Sequence, residues 1–153
     1  MTGGAQLQQM LHKAYFGPAW HGPAVAELLA DITAAQAAAS PAAGSHSIWQ
    51  LVAHMTAWRD EVRRRLHGPG RKLSADENWP TIDDASEAAW QAMVERSHAS
   101  QRALEEDVAS FSEEQLTVPA DNLPGGREEL LHVVIHHDLY HAGQIALLKV
   151  ARK

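Results

Sequence analysis

The chain has no cysteine in its 153 residues. That excludes a disulfide framework, a thiolate metal site and a cysteine nucleophile, so any metal must be held by histidine and carboxylate. No apolar run approaches the ~20 residues that a membrane helix needs. The first residues, Met1 to Gly4, carry no basic region and lead into no long apolar stretch, so nothing resembles a secretory leader. Basic residues are also in short supply: 13 Lys and Arg stand against 19 Asp and Glu, a net charge of −6. A nucleic-acid surface wants the opposite balance, and the one basic run, Arg63 to Arg65, reads as a solvated helix face. No segment has a convincing period of two, which leaves no strand and no βαβ unit. The expectation is a cytoplasmic chain that acts on a small molecule, with neither nucleic acid nor membrane as partner.

What is present is helical. Hydrophobic residues make up 45% of the chain, enough for a core, and the length implies a single domain over residues 1–153. Gln6 to Phe16 reads as a short helix stopped by Gly17-Pro18, and a second pattern starts near Pro23 and runs through Val25, Leu28, Leu29 and Ile32. Ser45 or Ser47 is placed to cap a helix from Ile48 to about Leu66, with an apolar stripe of Ile48, Leu51, Met55, Trp58 and Val62. The polar connection 72–82 contains Trp79-Pro80 and is long enough to be functional. Asp83 or Asp84 then starts a helix from about Ala85 to Phe111, and Ser112 with Gln115 forms a capping box over one short turn. With no proline after Pro124, Glu128 to Val150 reads as one long helix. The sum is an all-α four-helix bundle with a short additional N-terminal helix. Trp49 and the helix carrying Trp90 are candidates for a homodimer surface or, equally, for monomer core.

Four of the ten histidines, His132, His136, His137 and His141, fall within the last helix. At ~100° per residue, Leu130, Val133, Val134, Ile145 and Leu148 lie within ~80° of His137, which predicts a buried face carrying His137 and, at ~40°, His141. His132 and His136 fall on a flank. Two buried imidazoles each need partners for a donor and an acceptor, and an unpartnered one costs about 1 to 3 kcal/mol. A divalent metal resolves this, because histidines at i and i+4 converge on one point. Satisfaction by other side chains is the alternative. His54 sits within ~60° of Leu51 and Trp58 on the Ile48 helix, which makes it the best third ligand.

The motifs Trp20-His21-Gly22-Pro23, His46-Ser47-Ile48-Trp49 running into His54-Met55-Thr56-Ala57-Trp58, and His137-Asp138-Leu139-Tyr140-His141-Ala142-Gly143-Gln144-Ile145 together resemble the DinB-like family. That superfamily also contains YfiT-like proteins classed as metal-dependent hydrolases and transferases that use mycothiol or bacillithiol. The last motif is the most specific. The resemblance implies a DinB-like bundle, often dimeric, and a triad of one histidine from the second bundle helix and two from the last. By position these are His54, His137 and His141, the three that helical geometry selects.

The implied cofactor is a divalent ion such as nickel, zinc or iron, with a low-molecular-weight thiol as a second cofactor in the transferases. Held by three imidazoles with open positions, such an ion lowers the pKa of water toward ~7 or holds a thiolate. The implied activity is that of a hydrolase or a thiol-dependent transferase. The alternative is a non-catalytic metal-binding or stress-response bundle whose metal is structural or absent. His21 and His46 are candidate catalytic or substrate-contacting residues. Trp20, Trp58, Asp138, Tyr140 and Gln144 are candidates for the surroundings of the site, Asp138 pointing ~100° away from His137, and Glu61 is within conceivable reach.

Overall fold

The structure is a computed structural model that describes residues 2–40 and 42–151. Helix α1 (Gly3–Tyr15) starts at Thr2, whose Oγ1 accepts from Ala5 N at 3.2 Å. Two short helices follow, α2 (Val25–Leu29) and α3 (Ala34–Ala38). Helix α4 (Ile48–His67) opens on a reciprocal cap, in which Gln50 N donates to Ser47 Oγ and Ser47 N donates to Gln50 Oε1, both at 3.1 Å. Helix α5 (Ala75–Asn78) is a single turn inside the long connection, and α6 (Glu87–Ala109) is followed by the Ser112-capped turn α7 (Glu113–Leu116). Helix α8 (Gly126–Val150) ends the bundle. Its first residue has φ 64°, and a Cβ there would meet Val118 O at 2.5 Å, so only glycine lets α8 start this close to the preceding loop.

No strand forms among the described residues, in keeping with an all-α fold. The four long helices close a ring, with α4 and α1 each packed against both α6 and α8. The N-terminal helix, expected as an addition to the bundle, is therefore one of its walls. The segment from Pro23 to Ile32, expected as a longer helix, stops at Leu29. Ile32 O accepts from Trp90 Nε1 at 2.7 Å, and Thr33 caps a new helix through Gln36 N. The chain is thus turned out of its helix and restarted. Helix α6 begins at Glu87 rather than Ala85 because Ser86 is the cap, with Asp84 Oδ1 accepting from Ser86 N at 2.9 Å.

Two apolar clusters fill the bundle. One gathers Val25, Ile48, Val52, Met55, Trp90 and Ile145, and the other Leu11, Val62, Leu66, Leu104, Leu131 and Ile135. Each of α4, α6 and α8 contributes to both, and each carries polar residues between its two contributions: Arg59, then Ser97 and Gln101, then Asp138. A buried polar layer thus crosses the core. Trp49 and Trp90 belong to the core, 5% and 0% exposed with rings 5.2 Å apart, so the two indoles themselves are monomer core. The buried stripe of α8 also differs from expectation. It consists of Leu130, Leu131, Val134, Ile135, Asp138, His141, Ala142 and Ile145, while Val133 is 46% exposed. Its centre is Asp138, and His137 lies at its edge. No helix of the described residues is long and apolar enough to cross a membrane.

Trp90→Ala is expected to cost about 3 to 5 kcal/mol of unfolding free energy, because it opens a cavity and strands the Ile32 carbonyl. Urea denaturation measures this, and a loss below about 1 kcal/mol would contradict the placement of Trp90 at the centre of the core.

Candidate metal centre

Helices α4 and α8 pack side by side, and this brings His54 against His137 and His141. His54 Nε2 and His141 Nε2 each lie 3.1 Å from His137 Nε2. One ring atom from each of the three falls within 4.8 Å of the others. His54 and His141 are buried, and His137 is partly so. The i, i+4 relation places His137 and His141 one turn apart on α8, with ring centroids separated by 4.5 Å.

The outer nitrogens fix the protons. His54 Nδ1 lies 2.9 Å from Asn78 O, a carbonyl that can only accept, so Nδ1 carries the hydrogen and Nε2 presents a lone pair. His141 Nδ1 donates in the same way to Gln144 Oε1 at 2.6 Å. Two lone pairs therefore face His137 Nε2, which has at most one hydrogen to give. At least one of the 3.1 Å contacts is therefore left without a hydrogen to bridge it, and with His137 protonated at Nδ1 both set lone pair against lone pair, unless a cation lies between them. Protonation offers no relief near neutrality: burial, then His141, His54 and Arg59, push His137 down to about 4, and burial also lowers His54. The three residues can hold a divalent metal, which binds imidazole nitrogen at about 2.0 to 2.1 Å. The Nδ1–H bonds of His54 and His141 are of the kind that orient metal-binding histidines.

Residues that the sequence reading did not single out shape this site. Trp79, just after α5, stacks on His54 with centroids 3.8 Å apart and planes 4° from parallel. It also stacks on His46 at 3.5 Å and 0°. Two rings so close to one indole cannot share a face, so Trp79 is sandwiched between them. Asn78 supplies the carbonyl to His54, and its side chain accepts from Trp58 Nε1 at 2.8 Å. The only sequence signal was the length of the 72–82 connection and its Trp-Pro pair; the contacts themselves arise from tertiary packing. An open cleft of about 530 Å³ has His141 in its wall, together with His46, Leu51, Trp79, Tyr140 and Leu147 among others. Among the described residues, no Lys, Arg, Asp or Glu lines it.

The other candidates divide. Trp58, His46, Tyr140 and Gln144 surround the site or its cleft, Tyr140 with its ring 5.1 Å from His141 and 67% exposed. Asp138 is 4% exposed and turns into the core, where Oδ2 accepts from Arg59 Nη2 at 2.8 Å. Trp20 and His21 do not join the site. Their loop folds back through Gly22 N to Ala19 O at 3.4 Å and leaves both exposed, Trp20 completely. Glu61 is also elsewhere, accepting from Arg71 N at 2.6 Å and from Arg65 Nε at 3.1 Å.

Fold and site together define a helical-bundle protein in which three histidines from two adjacent helices form a potential metal centre. A family model described as the DinB superfamily matches residues 20–145, and the chain belongs to that superfamily. The matched stretch includes all three histidines. Comparison with curated proteins and with solved structures gave no match.

The metal-free protein is predicted to lose stability as pH falls. His137 has a folded pKa of about 4, below the ordinary 6.5, so between those values the unfolded chain takes up a proton that the folded one refuses. The penalty is absent above about pH 6.5, grows as pH falls, and levels off below about 4, reaching about 3 kcal/mol. Denaturant unfolding in chelator at stepped pH measures it. His137→Phe should flatten the slope in that window, and an unchanged slope would refute the assignment.

Proposed function

We propose that the chain is a metal-dependent enzyme of hydrolytic type that acts on a small, uncharged, largely apolar molecule. The observation that carries this reading is that His141, one of the three clustered histidines, stands in the wall of an open cleft. Structural metal sites are closed by protein ligands, whereas catalytic ones keep a position free for water or substrate. His54, His137 and His141 would hold a nickel, zinc or iron ion, which would supply Lewis acidity and lower the pKa of water.

The chain's own groups do the rest. Trp79 keeps the His54 ring in plane and fixes His46 at the cleft, where His46 is positioned to carry a proton to or from a bound molecule. Gln144 holds His141 in the tautomer that leaves Nε2 free. Tyr140 offers a hydroxyl at the rim, and Leu51, Leu147 and Leu148 exclude water from an apolar substituent. Thiol transfer is the second reading of the same centre. It is less well supported because the cleft lacks a Lys or Arg to balance an anionic thiol cofactor.

The test is to load purified protein with nickel, zinc or iron(II) and screen a panel of neutral aryl and alkyl esters and amides, with and without added thiol. His137→Ala is expected to abolish both metal uptake and turnover while helicity is kept. Turnover that survives chelation, or metal uptake with no turnover on either panel, would sink the enzymatic reading and favour a binding or stress-response bundle.

A further inference from the structure

The metal-centre reading leaves one ligand without support. His54 and His141 have acceptors for their Nδ1–H groups, but His137 Nδ1 is buried and has no hydrogen-bond partner. The next residue presents the complementary vacancy. Asp138 Oδ2 is taken by Arg59 Nη2 at 2.8 Å, while Asp138 Oδ1 is buried, unpartnered and 3.9 Å from His137 Nδ1. A donor and an acceptor, both cut off from water and each otherwise unsatisfied, thus face each other about 1 Å beyond the ordinary distance of such a bond.

Arg59 explains why the acid is there. It is 0% exposed, lies between α4, α6 and α8, stacks over the Tyr15 ring at 4.7 Å and donates to Ser97 O through Nη1 at 3.5 Å. Its Nη2 fixes one carboxylate oxygen, and its Nε, like the other carboxylate oxygen, is buried without a partner. Burying such a pair gains little stability over apolar residues of the same size, so stability alone does not account for it.

We infer that Asp138, clamped by Arg59, is a positioning residue that accepts the Nδ1–H of His137 and aims the third imidazole at the metal. The inference rests on the metal-centre reading. Closing the gap needs a movement of about 1 Å, within what a side chain rotates through when its Nε2 is drawn onto an ion. The ion then fixes His137 at one ring nitrogen and the core fixes it at the other.

The experiment compares wild type with Arg59→Met/Asp138→Leu, which removes both charges together and so leaves neither stranded in the core. Far-UV circular dichroism and urea unfolding check the fold, and calorimetric titration with nickel and with zinc gives the affinity. The expected result is a folded double variant that binds metal about 10- to 100-fold more weakly than wild type. Asp138→Asn, which retains a carbonyl oxygen, should recover part of the loss. An unchanged affinity in a folded double variant overturns the inference and leaves the metal centre standing. Wild type that takes up no metal overturns both. If the double variant does not fold, the wild-type spectrum decides: a downfield, exchange-protected His137 Nδ1 proton on zinc binding supports the inference, and a freely exchanging one overturns it.

Discussion

Three imidazole nitrogens turned toward one another set the terms for this structure. Two of the three have their hydrogens committed outward, to the Asn78 carbonyl and to Gln144, so the space between them is ringed by lone pairs. A purely apolar bundle would avoid such a meeting. Here the chain holds it in place from several sides: Trp79 against the face of His54, Trp58 locking Asn78, and the one-turn spacing of α8 stacking His141 beside His137. The arrangement makes physical sense around a cation, and the local contacts all serve to keep the nitrogens where a cation would sit.

The cost of holding that geometry falls on the polar layer, and the two apolar clusters offset it. Arg59 and Asp138 are removed from water in the middle of the bundle, with Ser97 and Tyr15 against Arg59. Desolvating two charges consumes several kcal/mol per ion before their attraction is counted. The layer persists because Trp90, Met55 and Ile145 pack on one side and Leu104, Leu131 and Val62 on the other. The helices cannot slide to expel it without breaking both clusters. Rigid packing above and below is what allows a destabilising polar stratum to remain ordered, and the histidines are reached from the edge of that stratum.

Much of this was legible because the signals are local. A capping box at Ser47 and an unbroken run after Pro124 mark α4 and α8, and i, i+4 spacing is enough to pair His137 with His141. His54 followed from its place near an apolar stripe. Other features depend on partners distant in sequence. The centre of the α8 stripe was misplaced because Leu131, Ile135 and Ala142 flank Asp138, and a buried aspartate looks polar until Arg59 arrives from another helix. Arg59 itself gives no sign, since arginine is almost never fully buried unless paired. The role of Asn78 lies in its backbone carbonyl, which any residue would supply. Trp20 and His21 illustrate the reverse error: an aromatic beside a histidine in a Gly/Pro loop suggests a site, but both side chains are exposed and none of the described residues covers them.

The division of labour in the chain also bears on why chemistry and substrate are unequally readable. The three nitrogens come from the interiors of α4 and α8, where ring positions are set by helix geometry and by the core. The walls that would meet a substrate are shared: Gly44, Ser45 and His46 before α4 and Trp79 after α5 are on connections, while Leu51 and the Tyr140-to-Leu148 side of α8 are helical. Side chains on connections are held by fewer contacts, and changes there disturb the bundle least. The three histidines are therefore tied to the fold, and the connection side of the cleft is tied to it less. A bundle of this design can retain three histidines on its helices while the connections beside them change, so the fold constrains the histidine cluster more tightly than the loop side of the cleft.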